Sequence, residues 1–209
     1  MSTDHDALRA AIDLLGDKRS PRRRSGAKKL RELCDKSAGA ALFAALRAEL
    51  RVPRTWETQY QMIMALGACR YRRALPFLRK LARTRFEATM VDVAIGDAIV
   101  RLARKHENDA LPVIDCAKLG NDTLTDGAFR AMAMLRMVPD DGAIAKVIDL
   151  VSARPAEDPL RFWIAAAAAG WKGAKVEAFL RECGSSQRKD IRDAATEALQ
   201  GKYGKWRPL

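Results

Sequence analysis

The sequence predicts an all-α protein, a right-handed α-α superhelix of about five to six helical hairpins. Three observations carry this: a composition rich in Ala and Leu, a recurrence of apolar positions about every 33 residues, and helix-breaking residues between the segments. Hydrophobic residues make up 48% of the 209 positions and aromatics only 6%. Ala and Leu are strong helix formers and β-branched residues are sparse, which favours many small helix–helix contacts over a sheet core.

The plan is clearest in the stretch 66–81, LGACRYRRALPFLRKL. Leu66-Gly67-Ala68 closes one apolar helix, Arg70-Tyr71-Arg72-Arg73 turns the chain, and Ala74-Leu75-Pro76 opens the next. Upstream, residues 3–15 carry Ala7, Leu8, Ala11, Ile12 and Leu15 at helical spacing, with Asp4 or Asp6 as N-cap and Gly16-Asp17 as terminator. Ser20-Pro21 reads as a hydroxyl cap followed by proline at the first helical position. That helix runs to Cys34, and its partner runs from about Ser37 to Leu50. Pro53 then pushes the preceding residue out of helical geometry. Further pairs cover 56–69 with 74–83, 87–105 with 110–119, a segment capped by Thr123 or Thr125 with 143–151, and 160–170 with 175–183. A last helix spans 190–199.

Taking Ala41, Ala74, Ala110, Ala143 and Lys175 as equivalent starts of second helices, the spacings are 33, 36, 33 and 32. One residue on stand Leu42, Leu75, Leu111, Ile144 and Val176; four residues on stand Ala45, Leu78, Ile114, Val147 and Phe179. All ten are apolar. A helix pair cannot bury such faces alone, so a period in the low thirties implies stacked repeats. The expected organisation is one domain over 1–209: a capping helix in 1–16, repeats over 18–200, and a basic tail in 201–209.

The chain resembles HEAT-repeat proteins, of the short-repeat type found in bilin lyases and alkylation-repair DNA glycosylases. Their first helix tends to read apolar-Arg-x-x-Ala-x-x-Ala-Leu, which Ile191-Arg192-Asp193-Ala194-Ala195-Thr196-Glu197-Ala198-Leu199 matches throughout. The helix at Arg23 keeps the arginine and Leu30 but has Gly26 and Lys29 at the alanine positions. The next unit keeps Ala65-Leu66-Gly67 but has Gln59 in place of the arginine. The resemblance implies fold rather than function, because such repeats serve many functions.

Charge is the main functional signal. The net charge is +12, and residues 1–105 hold all of it, with 23 Lys/Arg against 11 Asp/Glu; residues 106–209 hold 15 of each. A polyanionic partner is therefore expected on the first half. The densest cluster contains Arg22, Arg23 and Arg24 with Lys28 and Lys29. It suits phosphate contacts with counterion release, or an acidic protein surface. Alternatively, the resemblance gives Arg23 a structural bridge to an acidic residue of a neighbouring repeat. Arginines at a helix N-terminus oppose its dipole. A second cluster, Arg70, Arg72 and Arg73, would align with the turns at Lys36 and at Arg104-Lys105-His106 to form a basic ridge. Arg47 and Lys80 each lie six residues after a second-helix start and would stack on one face, a ladder that ends at Cys116, Asp149 and Arg181.

Trp163 and Trp171 flank an alanine run and read as packing residues. Trp206 lies in a basic tail whose makeup suits stacking on bases. Cys34, Cys69, Cys116 and Cys183 form no CxxC pair and read as reduced thiols of a cytoplasmic protein. The polar N-terminus shows no secretory h-region, and the longest apolar run, residues 162–171, is too short to span a bilayer. His5 and His106 have no partners at metal-ligand spacing, and phosphate-loop and nucleophile-elbow motifs are absent. The glycosylases are expected to carry a Trp-x-x-x-Asp turn; here the residues four after tryptophan are Tyr60, Ala167 and Lys175. A glycosylase would need Asp92, Asp97 or Asp126 in the groove.

The expectation is a non-enzymatic binding or scaffold module without cofactor or metal. Its basic half would meet an acidic protein surface or a nucleic acid backbone, with protein favoured, and no membrane is involved. DNA binding or glycosylase activity is the alternative.

Overall fold

The computed structural model describes residues 2–204, and these form helices, short 3-10 turns and connections with no strand. The tail residues 205–209, Trp206 among them, lie outside the described residues. The chain forms two compact units, Met1–Ala103 and Arg104–Leu209. The boundary falls within the third helix pair read from the sequence.

The first unit contains α1 (Ser2–Leu14), α2 (Ser20–Leu33), α3 (Gly39–Glu49), α4 (Trp56–Ala68), α5 (Leu75–Leu81) and α6 (Thr89–Ala103). Helices α1, α2, α4 and α6 pack in sequence, each on the next, while α3 packs on α4 and α5 on α6. The second unit contains α7 (Leu111–Ala117), α8 (Asp122–Met134), α9 (Asp141–Ser152), α10 (Leu160–Ala167), α11 (Ala174–Gly184) and α12 (Lys189–Leu199). There α8, α10 and α12 form one layer and α7, α9 and α11 the other. The all-helical architecture of packed hairpins is the one the sequence predicts, but the pairing differs: the better-packed neighbours are α3 on α4, α5 on α6, α7 on α8 and α11 on α12, so each of these second helices packs mainly on the helix that follows it. Among the described residues no helix is long and apolar enough to cross a membrane.

The recurrent apolar positions do the packing. Leu42, Leu78, Val147 and Phe179 are buried, each at most 2% exposed. Leu111, the first residue of α7, departs from the pattern and is 54% exposed. The central helix α4 is buried without interruption from Thr58 to Gly67, so even its polar residues need internal partners.

Several helix starts differ from the sequence reading. Helix α1 begins at Ser2, ahead of both Asp4 and Asp6, so neither is its N-cap. Ser20 does not cap α2; Arg19 holds that position without a side-chain bond, and the Ser20 hydroxyl pairs instead with Thr58 at 2.7 Å and Glu49 at 3.2 Å. Helix α8 is capped by Asn121, which accepts from the Leu124 N–H at 3.3 Å, not by Thr123 or Thr125.

A polar side chain near the start of four helices reaches back to the preceding connection. Arg23 Nη1 donates to the carbonyls of Asp17 (2.9 Å) and Lys18 (3.0 Å). Arg192 Nη1 does the same to Ser186 and Gln187, both at 2.7 Å. Arg161 Nη2 reaches the carbonyls of Ser152 (3.4 Å) and Arg154 (2.9 Å). Gln59, standing where the resemblance expects arginine, donates to those of Glu49 (3.3 Å) and Val52 (3.0 Å). A shorter amide thus performs the same task, giving carbonyls left over at helix ends and turns a donor.

Candidate functional site

The basic residues of the first unit are distributed by the antiparallel course of its helices. The start of α2, the end of α3 and the start of α4 meet at one end. The end of α2, the start of α3 and the end of α4 meet at the other, where Cys69 Sγ contacts the Leu30 carbonyl at 3.5 Å. At 1.5 Å per residue, the 11-residue α3 separates these ends by about 16 Å.

At the first end, Glu49 closes α3 and is only 4% exposed. Arg23 grips it as a fork, Nε to Oε2 at 2.6 Å and Nη2 to Oε1 at 2.9 Å. Burial pushes the Glu49 carboxyl up, but the Arg23 fork, the hydroxyls of Thr55 and Ser20 and the Arg23 charge outweigh it, and its pKa lies below the ordinary value. Arg22 pairs with Asp17 at 3.1 Å, and Arg24 pairs with Glu57. The arginine triplet is thus divided: Arg23 faces inward, while Arg22 and Arg24 sit at the surface beside carboxylates. Lys28 and Lys29 are exposed on α2, Lys29 within 3.5 Å of Glu32.

At the opposite end, the Arg70-Tyr71-Arg72-Arg73 turn forms because α4 terminates in a left-handed residue. Arg70 has φ 51°, and the Tyr71 N–H bonds back to the Leu66 carbonyl at 3.1 Å. Arg136 repeats this geometry after α8, with φ 50° and a Met137-to-Met132 bond of 3.1 Å. The Tyr71 ring lies against Gly39 so closely that a Cβ there would fall 2.7 Å from Tyr71 Cβ and nearer still to the ring. This contact sets the Lys36 turn beside the Arg70–Arg73 turn, with Arg70, Arg72, Arg73 and Lys36 all exposed. Arg104, Lys105 and His106 belong to the second unit.

Arg47 and Lys80 are exposed in the last turns of α3 and α5. Phe43 and Phe77, about one turn earlier, hold these helices together edge to face at 5.4 Å between centroids. Beyond Arg47 and Lys80 the chain leaves each helix through a further basic segment, Arg51 and Arg54 after α3 and Arg83 and Arg85 after α5, all exposed. Sequence reading did not single these four out, although they recur 31 or 32 residues apart behind equivalent helices, which is the signal that marks them.

Between residues 36 and 86 there are eleven Lys/Arg and only two carboxylates, Glu49 and Glu57. Both carboxylates are held by α2 arginines. The surface carried by α3, α5 and their connections is therefore strongly positive, although exposed Asp35 and Glu87 stand at the two edges of this stretch.

The aspartates that a glycosylase reading would need are placed differently. Asp92 and Asp97 are 2% and 0% exposed, and Asp97 is ion-paired with Arg101 on its own helix. Asp126 is half-buried; burial pushes its carboxyl up, opposed by a hydrogen bond from Trp163 and by the Arg130 charge. Arg130 also lies 6.0 Å from the Trp163 ring centroid. Trp171 is buried and donates its indole N–H to the Met137 carbonyl at 2.7 Å, a packing role.

No known protein family matches the chain, and no curated protein matches it. Among solved structures, it is similar to human deoxyhypusine hydroxylase in complex with glycerol, at 14% identity and a TM-score of 0.40, over 93% of this chain and 83% of that one. The expectation that this chain is not an enzyme is withdrawn, because the protein it matches is an enzyme. At that identity and TM-score the likeness assigns no activity, substrate or metal.

Proposed function

We propose that this protein is a binding module whose first unit presents a basic surface to an acidic protein partner. The observation that supports this best is the charge imbalance over residues 36–86, where the only two carboxylates are already paired with α2. Nine of the eleven cations there are arginines, whose planar forks suit carboxylates bidentately. Salt screens such a surface only beyond about 8 Å at physiological ionic strength, so it acts on partners at contact range. We read the hairpins as the short HEAT-like type shared with bilin lyases and alkylation-repair glycosylases, on the back-bonding of Arg23 and Arg192.

The test is anisotropy with labelled poly-glutamate, and with duplex DNA in a parallel arm, at 50 and 200 mM salt. Poly-glutamate should bind at low salt and weaken at high salt, and the joint variant R47A, K80A, R70A, R72A, R73A should bind it at least about ten-fold more weakly. Absence of poly-glutamate binding at 50 mM salt defeats the reading. Duplex binding that is tighter, with a slope of log affinity on log salt near −0.9 per phosphate contacted, would reassign the surface to nucleic acid.

A further inference from the structure

Where the α3–α4 and α5–α6 connections come together, the first unit has a cleft of about 350 Å³ lined chiefly by Leu50, Trp56, Phe86 and Val91. Arg85 and Glu87 are the charged residues in its wall. Trp56 and the neighbouring Val52 are each 37% exposed, so part of the apolar lining is open to solvent beside charged residues. The polar group within the wall, the Gln59 amide, already donates to two carbonyls. Arg51 and Arg54 lie in one of these connections and Arg83 and Arg85 in the other, Arg85 within the wall itself. Arg51, Arg54 and Arg83 make no ion pair among the described residues.

We infer that this cleft receives one large apolar side chain of an extended acidic peptide, whose flanking carboxylates engage Arg51, Arg54, Arg83 and Arg85. This deepens the proposed function and rests on it. Three features select a peptide over a nucleic acid. The volume is at the small end of ligand pockets and matches one anchor residue rather than a run of bases. Single-strand binders use several aromatic platforms in a row, whereas this face exposes Trp56 alone beside a half-buried Phe86. Glu87 stands in the wall and opposes any anion placed inside the cleft; a peptide can keep its carboxylates outside, on the arginines, and offer Glu87 a backbone N–H, a donor that a phosphate backbone lacks. An apolar anchor ringed by charge pairs is also the arrangement in which one buried side chain carries most of the affinity and the rim sets selectivity.

Three labelled probes test this on the full chain at 150 mM salt: a decapeptide of Asp and Glu with Leu-Phe at its centre, the same peptide with Ala-Ala there, and a ten-nucleotide oligothymidylate. The Leu-Phe peptide should bind about ten-fold or more tighter than the Ala-Ala peptide. Trp56→Ala and, separately, Phe86→Ala should remove that preference while leaving the weaker Ala-Ala binding in place, with unchanged circular dichroism. R51A with R54A should weaken both peptides. Equal binding of the two peptides overturns the cleft while the basic-surface reading stands, and so does a preference that survives both cleft variants. Binding of the oligothymidylate above either peptide overturns the choice of a peptide. No binding of any probe, even at 50 mM salt, removes the basic-surface reading itself.

Discussion

Replacing Arg23 with Ala separates a cation that holds the fold from those that face a partner. The substitution leaves Glu49, 3% exposed at its side chain, without the fork that neutralises it. It also deprives the Asp17 and Lys18 carbonyls of their donor. Breaking a buried pair by removing one partner costs about 3–5 kcal/mol, because the remaining charge is left desolvated. At about 3 kcal/mol, Tm falls by about 6–12 °C if all 209 residues melt together, and by about 12–24 °C if the 103-residue first unit melts alone. Calorimetry of wild type, R23A, R22A and E49Q measures this, and R22A, which removes an exposed guanidinium from a pair with the half-buried Asp17, should lie within about 1 kcal/mol of wild type. The pH dependence supplies an independent check. In the wild type the folded-state pKa of Glu49 is depressed below its ordinary 4.5, so its contribution is present above that value and lost as pH falls through the folded one. In R23A the same carboxyl is buried without a cation, its pKa rises, and protonation relieves the penalty. The stability gap should therefore narrow from pH 7 to pH 4. A gap under about 1 kcal/mol at pH 7, or one independent of pH, refutes the inward role of Arg23.

Two further predictions concern packing and thiol chemistry. Gly39→Ala should destabilise by about 1–3 kcal/mol, because the added methyl enters the space of the Tyr71 ring; unfolding in denaturant measures it, and combining it with Tyr71→Ala should cost less than the sum. Native protein should show one fast-reacting thiol with Ellman's reagent, Cys34, which is exposed, while Cys116 stays buried. Burial pushes Cys69 up to about 12 and Cys183 up to about 11, so neither offers thiolate near neutral pH. All four should react after denaturation.

The order of the helices, the period and most of the buried stripe were legible in the sequence because they follow from local rules, whereas which neighbours pack as pairs was not. Apolar residues spaced three and four apart need a second helix to cover them, and Gly, Pro and Asp positions punctuate the chain whatever lies opposite. Helix starts were less legible. Ser20 has the right chemistry for a cap, yet its hydroxyl is taken by Thr58 and Glu49, which are 38 and 29 residues away. Gln59 looked like a lost arginine and proves to bond the same kind of carbonyls.

The candidate surface divides along the same line. The excess of positive charge and its confinement to the first half are sums over residue types, so the sequence by itself determines them. Which cations remain available is decided by tertiary structure. Charge is neutralised by whatever carboxylate folding brings within a few ångströms, and adjacent residues on a helix point about 100° apart. Arg22, Arg23 and Arg24 are contiguous, yet one turns into a buried fork on Glu49 while its neighbours meet Asp17 and Glu57 at the surface. Arg51, Arg54, Arg83 and Arg85 are scattered over 35 residues, yet they stand in the two connections that meet at one apolar cleft, with Arg85 in its wall. Their nearness depends on α3 and α5 running side by side, and that is settled by the Phe43–Phe77 contact and the packing of both helices on the buried layer behind them.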